Sequence, residues 1–270
     1  MVSPHTIVQY FGVRQSVPMG ERDLRLRSGG SDEIDNQHHA DTAGTAYPSL
    51  LASHSAVEGF FLNHSDFLAK LEDLTSIPPG PTGLPAWPDI LVRLTRTPVV
   101  SIALIRGRAT GNGSEIALAC DMSFASREKA ILSQWEVGVG LVAGGGTMAR
   151  LPRLIGRGRA LEVLLGSDDI RGDLAESYGY VNRSLPDAEL DEFVDTLASR
   201  IASFDKLAIG NTKRLVNAAS LPPDVELDAG WQACMASIVR PVAQEKIKAL
   251  MARGFHKPGD LGKLCTGGHI

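Results

Sequence analysis

Residues 99–126 read VVSIALIRGRATGNGSEIALACDMSFAS, and their order decides the fold. The opening seven residues, Val99 to Ile105, make a nearly continuous apolar, β-branched run between Pro98 and Gly107. Such a run suits a strand buried on both faces. The bend Gly111-Asn112-Gly113-Ser114 follows, and SEIALAC reads as the start of a helix. MSFAS, Met122 to Ser126, is a second strand, and AILSQ, Ala130 to Gln134, a third. Alternation of strand, glycine bend and helix predicts an α/β fold.

Working outward, GGGTMARLPRLIG reads as a turn into a helix, and GRALEVLLGS as another, with Leu161, Leu164 and Leu165 on one face. LAESYGYVNRSLP repeats a helix, a glycine stop and a short strand. DAELDEFVDTLASRIASF is an amphipathic helix with Asp187 as its expected N-cap. DKLAIGNTKRLVNAAS and PVAQEKIKALMARG complete a helical C-terminal part. Towards the N-terminus, SIPPGPTGLPAWPD (residues 76–89) reads as a long surface loop, with Trp87, like Trp231, expected to serve packing. Residues 1–54 are polar, charged and glycine-punctuated, with TIVQYFGV as a possible short strand. The expected organisation is an atypical, loose segment at 1–54, a core with the active site at 55–200, and a helical region at 201–270.

Composition narrows the function. At 43% hydrophobic and 21% charged residues, the chain resembles an ordinary globular protein. A net charge of -4 offers no basic field for a polyanion, so nucleic acid is a poor partner. No apolar run approaches the roughly 20 residues of a membrane span. The N-terminus lacks a secretory signal, and the C-terminal Gly-Gly-His-Ile is not the S-K-L peroxisomal address. The expected location is the cytoplasm or an organelle matrix. Cys120, Cys234 and Cys265 form neither a zinc pattern nor a disulfide framework, and Cys120 reads as a small buried hydrophobe. No metal-ligand cluster is seen, and none is expected.

Two glutamates carry the chemical question. Glu115 follows the glycine bend, where it is either a charge favoured by the helix dipole or a reagent. Free N–H groups at such a helix start can hold a developing oxyanion, and Gly111 and Gly113 let a ligand approach the main chain. Glu136 lies between Trp135 and Val137, either a surface charge beside a loop or a buried carboxyl with a raised pKa. Two carboxyls reached from separate glycine turns can grip one water, one acting as base and the other as acid.

These stretches, with SQWEVGVGLVAGGGTMARLPRLIGRGRALEVLLGSDDI and ESYGYVNRSLP, resemble the crotonase superfamily, the enoyl-CoA hydratases and isomerases. The resemblance runs from about Ser55 to Lys257 and is strongest from Pro98 to Pro186. It implies a spiral of repeated ββα units with a helical C-terminal trimerisation region. The implied partners are an acyl-CoA thioester as substrate and other copies of the chain, as a homotrimer or dimer of trimers. Coenzyme A enters as part of the substrate, with no separate cofactor.

Glu115 and Glu136 match the two family glutamates, the second in a Gln-Trp-Glu segment where the family usually has Gln-Pro-Glu. The family oxyanion hole falls on the backbone N–H groups of Asn63 and Asn112, positions that are usually Ala and Gly. His64 stands beside Asn63 and reads either as a polar loop histidine or as a substrate contact. Asp66 matches a position at the CoA entrance or is a cap. Phe255 and Lys257 match the segment that approaches the CoA adenine and phosphates, or simply pack a helix end. The implied reaction is hydration of a 2-enoyl-CoA or its reverse. The alternatives are double-bond isomerisation and an acyl-CoA-binding or oligomer-partner protein without turnover. The family's opening strands are not recognisable in residues 1–54.

Overall fold

The structure, a computed structural model, describes residues 9–13, 50–55, 59–62 and 76–253. Among the described residues, nine strands fall into two sheets. The first has the order β1 (Gln9–Val13), β2 (Leu50–Ser55), β4 (Val100–Ile105), β6 (Met122–Ser126), β9 (Arg183–Leu185), all parallel. The second is β3 (Phe60–Leu62), β5 (Arg108–Thr110), β7 (Ile131–Ser133), β8 (Ile170–Arg171), with only the last pair antiparallel. The chain visits the sheets alternately: β2 then β3, β4 then β5, β6 then β7. Helix α1 (Ala86–Arg96) precedes the second pair, α2 (Asn112–Ala119) follows it, and α3 (Thr147–Ile155) follows the third. That alternation is the spiral of ββα units.

The central strand shows why the sequence folds this way. Every residue of β4 is buried, and its side chains alternate between two cores. Ile102 and Leu104 pack with Phe124 against Leu190, Val194 and Ala198 of α6 (Leu190–Ala202). Ala103 and Ile105 face the other way, into a cluster with Ala117, Leu132, Leu151 and Val163. A nearly continuous apolar run, broken only by Ser101, whose N–H and hydroxyl both bond to Asp121, is what a strand between two cores requires.

After β7 come a one-turn 3-10 helix at Glu136–Val139, α3, α4 (Arg157–Gly166), β8, α5 (Gly172–Tyr178) and β9. The C-terminal part is α6, α7 (Lys206–Ser220), α8 (Asp224–Ile238) and α9 (Pro241–Ala252). A half-buried ion pair ties α7 to the sheet: Lys213 Nζ lies 2.7 Å from Asp121, which also accepts the Ser101 N–H. Across the second sheet, Arg108 binds both carboxylate oxygens of Asp169 at 2.6 and 2.7 Å.

Several expectations are corrected. β1 falls within the expected TIVQYFGV strand, but the segment up to residue 55 also supplies β2, which pairs along β4. Residues 76–85 are irregular, but the expected loop ends early, because α1 begins at Ala86. Proline at its N-cap and within its first turn suits a helix start, where amide hydrogens lack partners anyway. Asp187 does not cap a helix through its side chain; it precedes α6 in a short 3-10 turn and pairs with Lys129 at 2.5 Å. On α4 the fully buried residues are Ala160 and Val163, while Leu165 is exposed and Leu161 and Leu164 are half-buried. Cys120 is likewise half-buried. The helix α8, absent from the sequence reading, buries Gly230 and Ser237 beside Leu227 and Ile238, so its inner face carries a weak apolar signal.

Candidate active site

Glu115 lies in the first turn of α2 and is 2% exposed. The chain reaches it from β5 through Gly111, whose carbonyl accepts the Glu115 N–H at 2.9 Å. Asn112 opens the helix and is half-buried. Gly113 is packed so tightly on the Leu62 carbonyl, at the end of β3, that any Cβ would overlap it. Glycine at 113 is therefore what lets the end of β3 meet the start of α2.

Both oxygens of Glu115 accept hydrogen bonds. The Gly145 backbone N–H reaches Oε1 at 2.5 Å, and the indole N–H of Trp87 reaches Oε2 at 2.6 Å. A Cβ at residue 145 would overlap the carboxylate, so the close backbone approach demands glycine. Trp87 thus has a polar task that the sequence reading did not give it. Its placement is built into α1. The buried carboxylate of Asp89 accepts from the Thr82 N–H at 2.9 Å, the Thr82 hydroxyl at 2.8 Å and Arg93 Nε at 2.7 Å. Burial alone would raise the Asp89 pKa, but these donors hold it below the ordinary value. Val92 of the same helix packs with Leu84, Ala149 and Leu227.

Glu136 opens the 3-10 turn and is 9% exposed. Its neighbour Trp135 is the anchor, sunk among Val139, Leu141, Ile238, Ala243, Ile247 and Leu250. Lys246 of α9 donates to the Gly138 carbonyl at 3.1 Å, and Arg240 to that of Gly140. The C-terminal helices α8 and α9 therefore support the turn that carries Glu136. Its Oε2 is buried and, among the described residues, has no hydrogen-bond partner.

Electrostatics bind the two carboxyls into one site. Burial raises the Glu136 pKa to about 8, and the charge of Glu115 adds to the rise. Burial also raises Glu115, opposed by the hydrogen bonds from Trp87, Gly145 and Gly144. The Cys234 thiol on α8 is pushed up to about 12, first by burial and then by both glutamates. Burial does the same to Tyr180, to about 12, partly offset by Ser114, whose hydroxyl lies 2.5 Å from the phenol oxygen; both glutamates again contribute. Two acids coupled in this way, out of water, resist double ionisation.

A cavity of about 340 Å³ opens beside Glu136, lined by Val142, Met148, Pro152, Leu161 and Leu164. The half-buried leucine face of α4 thus borders the site. Glu115, Glu136, Asn112, Gly111 and Gly113 are brought to one region. Asn63, His64, Asp66, Phe255 and Lys257 lie outside the described residues.

A family model described as enoyl-CoA hydratase/isomerase matches residues 85–250, from the start of α1 into α9. The chain belongs to the enoyl-CoA hydratase/isomerase family. A crystal structure from Streptomyces avermitilis, named as a candidate enoyl-CoA hydratase, is 40% identical and superposes with a TM-score of 0.78 over 84% of each chain. A crotonyl-CoA hydratase of Syntrophomonas wolfei is 39% identical over 127 residues, 47% of this chain and 48% of that protein. A mitochondrial enoyl-CoA hydratase of Pongo abelii is 36% identical over 126 residues, 47% and 43% of the respective chains. The chain spans about half the length of the curated relatives it matches. The fold is that of the crotonase superfamily, α/β with C-terminal helices.

Proposed function

We propose that this chain hydrates a 2-enoyl-CoA thioester, or dehydrates the 3-hydroxy form, with Glu115 as base and Glu136 as acid. The observation that carries the reading is the asymmetric pair: two buried, mutually coupled carboxyls, one with donors on both oxygens and the other with Oε2 unpartnered among the described residues. Glu115, whose two oxygens both receive N–H groups, keeps its negative charge and takes a proton from water. Glu136, raised to about 8, holds a proton near neutrality and delivers it to the α-carbon. Water oxygen bonds to the β-carbon as the double-bond electrons move towards the thioester carbonyl. Backbone N–H groups of Asn112 and Asn63 receive the developing oxyanion, a role worth about 3–4 kcal/mol per donor.

The apolar cavity beside Glu136 takes the acyl chain. His64, Asp66, Gly111, Gly113, Phe255 and Lys257 are the proposed contacts to the rest of the acyl-CoA. No separate cofactor or metal enters this scheme. Self-association through the C-terminal helices, as a homotrimer or dimer of trimers, is supported by α7, which buries none of its residues and exposes Leu207, Leu215 and Val216. No helix among the described residues is long and apolar enough to cross a membrane, and the cytoplasm or an organelle matrix remains the proposed location.

The test is a set of trans-2-enoyl-CoA substrates of increasing chain length, assayed in ¹⁸O-labelled water. Formation of 3-hydroxyacyl-CoA with one labelled oxygen is expected. Migration of the double bond without label, or binding without turnover at every length, would overturn the hydratase reading.

A further inference from the structure

One of the donors on Glu115 is a side chain rather than backbone. Trp87 comes from α1, outside both glycine turns, yet its indole N–H ends 2.6 Å from Glu115 Oε2. An indole can only donate. The second donor, the Gly145 N–H, occupies Oε1. A protonated Glu115 would need an acceptor for its own hydrogen, and both contacts on the carboxyl are donors. The pair of contacts therefore selects the ionised form.

We propose that Trp87 is a positioning residue: its indole N–H fixes the Glu115 carboxylate in place and keeps it ionised, so that it serves as the base. This rests on the hydratase reading for the word base, though the contact itself is independent of it. The geometry is built rather than incidental. The Asp89 network pins residues 80–89 to α1, and Gly80 has no room for a Cβ against that carboxylate. Val92 locks the same helix onto α3 and α8. The indole nitrogen also sits against Gly145: a Cβ there would lie 2.7 Å from it. One glycine thus admits both donors to the carboxylate.

The other groups facing Glu115 do not supply this brace. Glu136 repels its charge from the 3-10 turn, and Cys234 on α8 and Tyr180 before β9 are held neutral. Arg150 on α3 lies against Gly146, and burial lowers its pKa to about 10, so it stays cationic at neutral pH in each variant below. Without the indole donor, burial acts on Glu115 with only backbone opposition, and its pKa rises.

The experiment compares wild type, Trp87→Phe and Trp87→His. The phenyl ring keeps an apolar body and removes the donor; the imidazole restores an N–H. In Trp87→Phe, the acid limb of the kcat/KM profile for crotonyl-CoA moves up by about one pH unit or more, the size expected for losing one bond to a charged acceptor. Activity recovers on the alkaline side, KM changes little, and Trp87→His moves the limb back. A profile that is lowered uniformly, or superimposes on wild type, overturns the proposal. Should the Phe variant not fold, benzothienylalanine placed at position 87 alone exchanges N–H for sulfur in the same shape and takes the same test. If wild type hydrates nothing, the hydratase reading fails separately, and the Glu115 carboxyl is titrated directly by ¹³C NMR of labelled glutamate. An upward shift in Trp87→Phe supports the brace, and an unchanged titration overturns it.

Discussion

Glu115 and Glu136 are the same residue type in the same buried region, and their surroundings differ in one respect. The socket of Glu115 is made of donors: a backbone N–H from Gly145 and an indole N–H from Trp87. The socket of Glu136 is apolar on its cavity side, and among the described residues its Oε2 is unpartnered. Burial raises both carboxyls, but donors oppose the rise chiefly at Glu115. The lesson is that a coupled acid pair needs only one asymmetric set of hydrogen bonds to sort base from acid.

Removing either carboxyl destroys that comparison and carries the largest expected effect. Glu115→Gln and Glu136→Gln should each lower kcat on crotonyl-CoA by about 10²–10⁴-fold, the usual worth of a positioned proton-transfer group. Steady-state kinetics check this. A deficit at one position only would leave a single carboxyl shuttling a proton, as in double-bond isomerisation.

A smaller effect follows from linkage and reads the Glu136 socket by itself. The folded state holds the Glu136 proton to about 8, against an ordinary value of 4.5. Between those values the folded chain binds more protons than the unfolded one, so stability falls as pH rises. The contribution is fully present below 4.5 and is lost as pH climbs through about 8. The slope has a ceiling of about 1.4 kcal/mol per pH unit for one proton. Urea unfolding across this range should show the decline in wild type and a flatter profile in Glu136→Gln.

The framework of this site was legible in the sequence wherever a local pattern carried it. Val99–Ile105 announced a strand between two cores because every position but Ser101 is apolar, and MSFAS fell on β6 without adjustment. Glu115 and Glu136 stood out through the glycine bends around them, which are chain-local. The illegible parts have physical causes. Leu50–Ser55 has no β-branched residue and ends Ser-His-Ser, so β2 emerges only from its pairing with β4. The prolines around Trp87 suggested a loop although they open a helix. The Trp87 contact to Glu115 spans 28 residues and the Gly145 contact 30, joining elements whose approach is tertiary packing. The one available signal was a tryptophan with a donor to satisfy near the start of a helix.

The most direct measurement of the central claim is ¹³C NMR titration of the glutamate carboxyls in wild type, assigned through the two Gln variants. The account predicts that at neutral pH Glu115 is ionised while Glu136 is protonated and loses its proton only near pH 8. An ionised Glu136 beside a protonated Glu115 at neutral pH would contradict it.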